Sequence, residues 1–572
     1  MSGVLLLAAA VVVIVAVRGW ARRTGVAAPL LLVVLGVAVS FVPAVPEVTV
    51  EPEWILAGVL PPLLYSSAVS MPAMDFRRDL GSISSLSVLL VVVTAVLLGV
   101  FFHGVLGVDL AFGIALGAVV SPTDAVATTI VKRLGAPRRV VTVLEGESLL
   151  NDASALVLLR SAVAATAGTV SLWGVAGDFL RAVAIAVVVG AVVGLVNLRV
   201  RAAIQDAAAS TAVSFVVPFV AAVPAEHLGA SGLVAAVTAG LVTGQGAARY
   251  LRAADRMSER SNWATVELVL EGGIFLVMGL ELFALVQDVT QEHGSLWLAL
   301  GIGAAAAALA LVVRSLYVVP LLWVVRKQAP DPVEARERLA EIQARIDSAN
   351  LDPDDPRVQR RLRGWSQRMA QRLADVDYLA RSPLGRKEGA LLVWAGMRGA
   401  VTLAAAQTLP SDTPQRSLLV LVAFVVAAGS LLVQGGTLGP VARALGLQGN
   451  GGADAAERRT VIDAMARATL DVLDDPDLRR LDGTGYDPAV VERARVVAQR
   501  ATTEEEIEEA AGTAQALQAT ELRLRLIEAQ RAVLLDARTA GTFSSAALNA
   551  AFDLLDADQI STELRARSIT GE

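Results

Sequence analysis

The sequence contains no cysteine and only three histidines among 572 residues. The lack of cysteine excludes a disulfide framework, thiolate zinc sites and a cysteine nucleophile, and three histidines leave little for an imidazole metal cluster. Charged residues are also scarce, at 18% of the chain against roughly 25% in an ordinary soluble protein. These deficits exclude a secreted enzyme and a zinc-ribbon protein.

Hydrophobic residues are correspondingly abundant. They form 55% of the chain, and the mean hydropathy is +0.58, so most of this sequence has lipid as its solvent. A helix of about 20 apolar residues crosses the ~30 Å hydrocarbon core of a bilayer. Thirteen such stretches predict transmembrane spans, at approximately 3–17, 27–45, 54–70, 83–102, 110–130, 141–167, 175–197, 208–223, 231–247, 263–286, 296–325, 388–409 and 417–440.

The charge of the predicted loops indicates how the spans are oriented. Short cytoplasmic loops of membrane proteins accumulate lysine and arginine, and loops on the opposite side do not. Up to residue 262, alternate loops starting after the first span carry fifteen basic residues, whereas the intervening loops carry essentially none. We therefore expect a multi-pass protein of the cell (plasma) membrane with its N-terminus outside and its C-terminus in the cytoplasm. Basic residues follow the first apolar run rather than precede it, which is the reverse of a signal peptide's order.

Two polar regions divide the predicted chain into four parts. Residues 1–325 hold spans one to eleven, 326–387 form a helical cytoplasmic insert, 388–446 hold spans twelve and thirteen, and 447–572 form a helical cytoplasmic tail. The tail is acidic, with 23 acidic and 14 basic side chains. The chain has no concentrated basic face of the kind that predicts a nucleic-acid partner. Both polar regions are interpreted as solvated or packing helices, with regulation or partner binding as the alternative.

Span five places a proline beside an acid. It reads LAFGIALGAVVSPTDAVATTI, which contains Pro122, Thr123 and Asp124. Pro122 has no N–H, which frees the carbonyl of Ala118 and disfavours a helix at Ser121. Broken backbone is tolerated within a membrane only where it lines a cavity or packs on protein, and the ends of half-helices can bind ions. A simple proline kink is the alternative.

Span six concentrates polar groups within lipid, where an ionisable residue is costly and therefore marks a function. Glu147 and Asn151 lie four residues apart on one face, and Ser148 and Asp152 form a second such pair. Asp152 has no basic residue one turn away, which favours ion binding over a structural role. A poorly hydrated carboxylate must be protonated or paired with a cation, so a proton and a small hard cation compete for its oxygens. Thr123, Ser148 and backbone carbonyls would complete an oxygen site for the cation.

Basic partners are expected on two later spans. Arg314 lies centrally in span eleven, and Arg398 lies centrally in span twelve, where glycines flank it. A lone arginine in lipid needs an acid or a carbonyl as a partner. We expect a structural ion pair between Glu147 and Arg314, and contacts of Arg398 with carbonyl ends or with Asp124. Alternatively, both arginines are structural clamps without a role in transport.

Three motifs together resemble a known family. GAVVSPTDAVA, LEGESLLNDASALVL and WAGMRGAVTLA occur in this order on spans five, six and twelve. In this combination the sequence resembles the NhaP/NHE branch of the monovalent cation/proton antiporters, over about residues 1–445. The resemblance implies an all-α polytopic membrane protein that forms a homodimer. It also implies an inverted-repeat core in which spans five and twelve are discontinuous and cross, with Pro122 and Arg398 supporting the crossing.

The resemblance also implies which residues form the site: the transport pair Asn151 and Asp152, the ion-lining Thr123 and Asp124, and the ion pair of Glu147 with Arg314. An asparagine, rather than a second aspartate, before the carrier aspartate is similar to the electroneutral members and implies one proton per cation. Some relatives carry a glutamate just after the PPLL[FY] segment of span three, where this chain has Ser66.

We expect a secondary antiporter that exchanges Na⁺, or Li⁺ or K⁺, for H⁺ by alternating access in the lipid bilayer, without a cofactor, for pH and cation homeostasis. A K⁺/H⁺ antiporter of the same family is the alternative. A cation channel gated by the tail could use the same acids, but the sequence has no filter-like repeat. An intramembrane hydrolase could use Ser121 or Ser148 as a nucleophile, yet no histidine lies within a predicted span.

Overall fold

The protein is helical in the computed structural model, and the part of the chain that it describes contains no β-strand. The chain divides into two compact units. The membrane unit comprises Met1–Ala247, Glu259–Gln328 and Ser382–Gly449, and the tail unit comprises Ala248–Ser258, Ala329–Arg381 and Asn450–Glu572. The described residues are 2–43, 50–166, 172–291, 295–328, 356–410, 413–447, 451–500 and 513–570, with four positions between 333 and 341.

Helices follow one another with short connections throughout the membrane unit. Up to residue 328 they are α1 (Ser2–Thr24), α2 (Ala28–Ser40), α3 (Leu60–Ser70), α4 (Ala73–Ser84), α5 (Leu90–Leu106), α6 (Leu110–Val120), α7 (Val126–Arg133), α8 (Arg138–Thr166), α9 (Leu172–Ala203), α10 (Ala207–His227), α11 (Gly232–Tyr250), α12 (Ala253–Leu280), α13 (Leu282–Gln291) and α14 (Leu296–Gln328). After α15 (Pro356–Arg381) of the tail unit come α16 (Arg386–Trp394), α17 (Ala400–Gln407), α18 (Arg416–Ser430) and α19 (Gly436–Ala444). The π-helical turns Trp54–Val59, Ser85–Leu89 and Leu431–Gly435 lead directly into α3, α5 and α19.

Every predicted span overlaps helix in the described part of the chain. Eight helical stretches are long and apolar enough to cross a membrane by length and composition, and Ala28–Ser40, Trp54–Ser70 and Leu110–Val120 are shorter apolar helices. The predicted all-helical, polytopic membrane fold is therefore confirmed. The number of thirteen crossings stays a prediction.

Spans five and twelve are each interrupted. Helix α6 ends at Val120 and α7 begins at Val126, with non-helical backbone around Pro122 between them. Helix α16 ends at Trp394 and α17 begins at Ala400. At the first break the ring of Pro122 removes a backbone donor, and at the second the backbone of Gly399 is extended. Each interruption leaves two half-helices whose ends must find other partners.

Small residues let α5 and α6 approach each other closely. A side-chain carbon at Gly113 would lie 2.5 Å from the carbonyl oxygen of Gly99, and one at Gly117 would overlap that of Ala95. Membrane helices use such small residues because close backbone approach strengthens their van der Waals packing. This contact fixes α6, and with it the first helix break, against a continuous neighbour.

Buried ion pairs join helices of the membrane unit, and two of them involve arginines near the ends of predicted spans. Arg139 Nε donates to Asp79 Oδ1 at 2.8 Å, and Arg201 donates to both carboxylate oxygens of Glu259 at 3.0 and 2.8 Å. The sequence pattern assigned both arginines to basic cytoplasmic loops, yet they are only 5% and 0% exposed. Because their acidic partners lie about sixty positions away along the chain, no local pattern predicted these pairs.

The tail unit has an apolar core of its own. Its helices include α15, α20 (Gly451–Leu473), α21 (Pro488–Arg500), α22 (Thr513–Ala540) and α23 (Ser545–Thr570). Val461, Ile527, Leu534 and Leu548 are at most 1% exposed where these helices meet. The predicted insert hairpin is described only in its second half, as α15. Its first half, 333–351, lies mostly outside the described residues, as does the EEEIEEA run at 504–510.

Residues 248–258, which include the start of α12, belong to the tail unit, and Arg256 takes part in the charge network of that unit. Arg256 Nε donates to Asp556 Oδ2 at 2.8 Å, and Arg531 Nη2 donates to the other oxygen of the same carboxylate at 2.9 Å. Asp556 is 5% exposed, so its charge is compensated by two arginines rather than by water. Removing either Asp556 or one of its arginine partners would leave a buried charge unpaired, which is costly.

Candidate functional site

The two helix breaks lie against each other. The backbone N–H of Asp124 donates to the carbonyl of Met397 at 2.8 Å. Arg398 Nε donates to the carbonyl of Val120 at 2.9 Å, and its Nη1 donates to the carbonyl of Gly396. Of the two kinds of partner expected for Arg398, the described contacts are with carbonyls and not with Asp124. The guanidinium therefore neutralises the partial negative charge where α6 and α16 end.

Asp152 lies on α8 and is buried, with 8% of its surface exposed. Within the described residues it makes no hydrogen bond and no ion pair. The charged group that acts on it is the carboxylate of Asp124, which has the same sign. An uncompensated carboxylate next to a second acid is unfavourable inside a membrane. Neutralisation by a proton or by a cation would relieve that unfavourable charge.

Glu147, one turn earlier on α8, has the opposite environment. Arg314 Nη2 donates to Glu147 Oε2 at 2.8 Å, its Nη1 donates to Oε1, and both residues are 2% exposed. Arg314 Nε donates in addition to the carbonyl of Leu392 at 3.0 Å. Thr123 Oγ1 donates to Glu147 Oε1 at 3.0 Å. The charge of Glu147 is thus fully compensated, while that of Asp152 is not.

Asn151 connects α8 to the first helix break. Its Nδ2 donates to the carbonyl of Thr123 at 2.9 Å and to Thr123 Oγ1 at 3.0 Å, while its buried Oδ1 has no hydrogen-bond partner. Ser148 Oγ donates back to the carbonyl of Glu145 at 3.1 Å. The backbone just after Pro122 is therefore held at the position next to Asp152. Carboxylate, amide, hydroxyl and carbonyl oxygens, which hard cations prefer as ligands, are concentrated here.

Two further acids of the membrane unit were missed by the sequence reasoning. Glu267 and Glu271 lie one turn apart on α12, and Glu271 interacts electrostatically with Glu267 and with Asp124. Ser66 Oγ donates to Glu267 Oε1 at 2.5 Å. Ser66, which stands where some relatives carry a glutamate, therefore contacts a carboxylate of α12. The signal was present in the sequence as VELVLEGG, two acids at helical spacing in an apolar span.

Gly399 gives a direct test of the crossing. A side-chain carbon at this position would overlap the carboxylate of Asp124. We expect Gly399→Ala to displace Asp124 and to destabilise the protein by about 1–3 kcal/mol through overpacking, measured as a fall in the melting temperature. The matched control is Gly429→Ala on α18, where an added carbon meets nothing within 4 Å. Equal melting temperatures of the two variants would contradict the close approach of the two breaks.

Comparison with known sequences shows a match to a protein family. The family described as "Sodium/hydrogen exchanger, transmembrane" matches residues 7–444. An uncharacterised Na⁺/H⁺ exchanger of Mycobacterium tuberculosis is 27% identical over 446 residues, which cover 76% of this chain and 72% of that protein. The Na⁺/H⁺ antiporter ApNhaP of Aphanothece halophytica is 24% identical over 443 residues, which cover 77% of this chain and 72% of its own length.

The fold has a counterpart among solved structures. The sodium proton antiporter MjNhaP1 from Methanocaldococcus jannaschii at pH 8 superposes with a TM-score of 0.57, covering 78% of this chain and 99% of its own. The two sequences are 16% identical, so this likeness concerns the fold alone. The matched region ends near α19, and the polar tail that follows lies beyond the family match.

Proposed function

Because the chain belongs to the sodium/hydrogen exchanger family of membrane cation/proton antiporters, we propose that it exchanges Na⁺, or Li⁺ or K⁺, for H⁺ by alternating access. The exchange is electroneutral and serves pH and cation homeostasis. The protein works without a cofactor in the plasma membrane, as a homodimer with its N-terminus outside and its C-terminus in the cytoplasm.

The uncompensated carboxylate of Asp152 carries this proposal. It lies beside two helix breaks and beside Asp124, and no base neutralises it within the described residues. A proton and a cation therefore compete for the same oxygens of Asp152. The site opens to each side of the membrane in turn with one or the other bound. Asn151, Thr123, Ser148 and Asp124 supply the oxygens around it, and the ion pair of Glu147 with Arg314 keeps the helices in place.

Electroneutrality follows from one titrating carboxylate at the carrier position. Asn151 is neutral, so a single negative charge binds either one H⁺ or one monovalent cation. We expect exchange by the intact chain to be independent of an imposed membrane potential, and exchange by Asn151→Asp to be slower and dependent on it. The slower rate is expected because an aspartate cannot donate to the carbonyl of Thr123 as Asn151 Nδ2 does.

The measurement for this prediction is exchange in proteoliposomes at a series of K⁺/valinomycin potentials. The intact chain serves as the control in the same preparation. Voltage-independent exchange by the Asn151→Asp variant would argue against the proposal that residue 151 sets the number of protons exchanged per cation.

Fluorescence dequenching in everted vesicles tests the function itself. A pH gradient is imposed, and Na⁺, Li⁺ and K⁺ are added one at a time across a range of pH. The proposal predicts proton movement that saturates with the concentration of at least one of these cations and depends on the pH gradient. A cation flux that proceeds without counter-movement of protons would instead indicate a channel.

A further inference from the structure

A cavity of the membrane unit lies at the far end of the half-helix α17. It has a volume of about 200 Å³, and the residues that line it include Val50, Glu281, Asp288, Gln407 and Arg416. Since a water molecule in the liquid occupies about 30 Å³, the cavity has room for a cation together with several waters. Helix α17 has eight residues, so this cavity lies about 12 Å along the helix from the break at Gly399.

Glu281 is the buried acid of this cavity. It is 3% exposed, its Oε1 accepts from the backbone N–H of Val50 at 3.3 Å, and its Oε2 accepts from Gln407 Nε2 at 3.0 Å. Both donors are neutral, and no arginine or lysine forms an ion pair with Glu281 within the described residues. A buried carboxylate with only neutral donors lacks the charge compensation that stabilises buried ions.

Gln407 adds an acceptor that has no donor. Its Oε1 is buried and has no hydrogen-bond partner, although its Nε2 is engaged by Glu281. Arg416, which also lines the cavity, donates to the carbonyls of Leu409 at 2.9 Å and of Gln407 at 2.6 Å, and within the described residues it forms no ion pair with Glu281. A buried carboxylate and an unsatisfied amide oxygen thus lie at one cavity. Both are oxygen ligands of the kind that hard cations prefer.

We propose that Glu281 and Gln407 Oε1 bind a small monovalent cation in this cavity, as a site separate from Asp152. On the predicted orientation, α12 ends on the outer side of the membrane, so the site serves cations that enter from or leave to the outside. The exposed Asp288 at the same cavity attracts cations to it. This assignment of a substrate path rests on the proposed antiport function, whereas binding of the cation does not.

Side-specific affinity tests the transport role. We expect Glu281→Gln to raise the Na⁺ concentration for half-maximal exchange about tenfold in right-side-out vesicles, the equivalent of about 1.4 kcal/mol. In everted vesicles, where Na⁺ meets the cytoplasmic face, we expect a change of less than about twofold, because the site lies on the other side. The glutamine is isosteric and still accepts from Gln407 Nε2, so folding is expected to be retained.

Two companion variants separate binding from structure. Glu53→Gln removes an exposed acid of the neighbouring segment that does not line the cavity, and we expect it to leave both affinities unchanged. The double variant Glu281→Gln with Gln407→Glu moves the carboxylate across one hydrogen bond, and we expect it to restore the outer affinity. Equal affinity losses on both faces, or a double variant no better than Glu281→Gln, would show that Glu281 acts only through structure.

A binding measurement keeps this inference distinct from the antiport function. We expect added NaCl, compared with choline chloride, to raise the melting temperature of the purified Asp152→Asn protein, and Asp152→Asn with Glu281→Gln to lose that increase. This result would support the second site even if the intact chain exchanged no protons. No sodium-specific stabilisation of Asp152→Asn, together with an unchanged outer affinity in Glu281→Gln, would overturn the inference.

Discussion

Asp152→Asn is expected to abolish cation/proton exchange while the protein remains folded. The amide has nearly the same shape as the carboxyl group, but it cannot bind a proton at physiological pH, and it has only one oxygen for a cation. Because Asp152 makes no ion pair or hydrogen bond within the described residues, the substitution breaks no such contact. Removing an uncompensated buried charge should leave the melting temperature unchanged or raise it.

The measurement is fluorescence dequenching in vesicles, compared with a thermal melt of the same purified variant. Asp109→Asn is the matched control, since it makes the same chemical change at an exposed acid that precedes α6 and forms no side-chain cap. We expect the control to exchange normally. Exchange retained by Asp152→Asn would refute the assignment of the carrier.

Glu147→Gln is expected to be the most destabilising single change in the site. It leaves Arg314 buried with its charge unpaired, and breaking one side of a buried ion pair costs about 3–5 kcal/mol. The hydrogen bond from Thr123 can persist to the glutamine oxygen, so the geometry near Asp152 should suffer less than the stability. We therefore expect a clear fall in the melting temperature with a smaller change in Na⁺ affinity.

Glu145→Gln on the same helix provides the control for that melt. Glu145 also forms an ion pair, with Lys132, but the lysine side chain is 52% exposed and that of Glu145 is 20% exposed. Pairs that water can reach contribute only about 0–1 kcal/mol. A normal melting curve for Glu147→Gln combined with weakened Na⁺ binding would reverse the roles given to Glu147 and Asp152.

The sequence predicted most of the fold because lipid imposes strong local rules. Long apolar runs, basic loops and a proline within a span are visible one segment at a time. They indicated the helices and the interruption at Pro122 before any tertiary contact was considered. The three π-helical turns were not predicted, because no residue pattern distinguishes a π-helical from an α-helical turn in an apolar run.

The candidate site was predictable only where costly residues lie within spans. The sequence indicated Asp152, Glu147 and Arg314 because an ionisable group within lipid is costly and therefore marks a structural or functional role. The partner of Arg398 was left open between carbonyls and Asp124, since both choices satisfy a guanidinium. The structure gives it the carbonyls of Val120 and Gly396.

Glu281 shows what the sequence could not supply. Its position near the outer end of span ten has two interpretations from the sequence, an acid that helps to attract cations and an ordinary interfacial acid, and the second is the commoner one. Its function as a candidate ligand becomes visible only when its donors and its cavity are known. Contacts with Gln407, more than a hundred positions away, depend on the packing of the whole unit and not on a local pattern.

Proton release on cation binding, measured by calorimetry in buffers of different ionisation enthalpy, tests most directly whether Asp152 is shared between H⁺ and a cation. Near the pH at which Asp152 is half protonated, Na⁺ must displace its proton, as metal binding does at other protonated ligands. If Asp152 is shared in this way, the intact protein releases more protons on saturation with Na⁺ than Asp152→Asn does. Equal proton release from the two proteins would show that Asp152 does not exchange a proton for Na⁺.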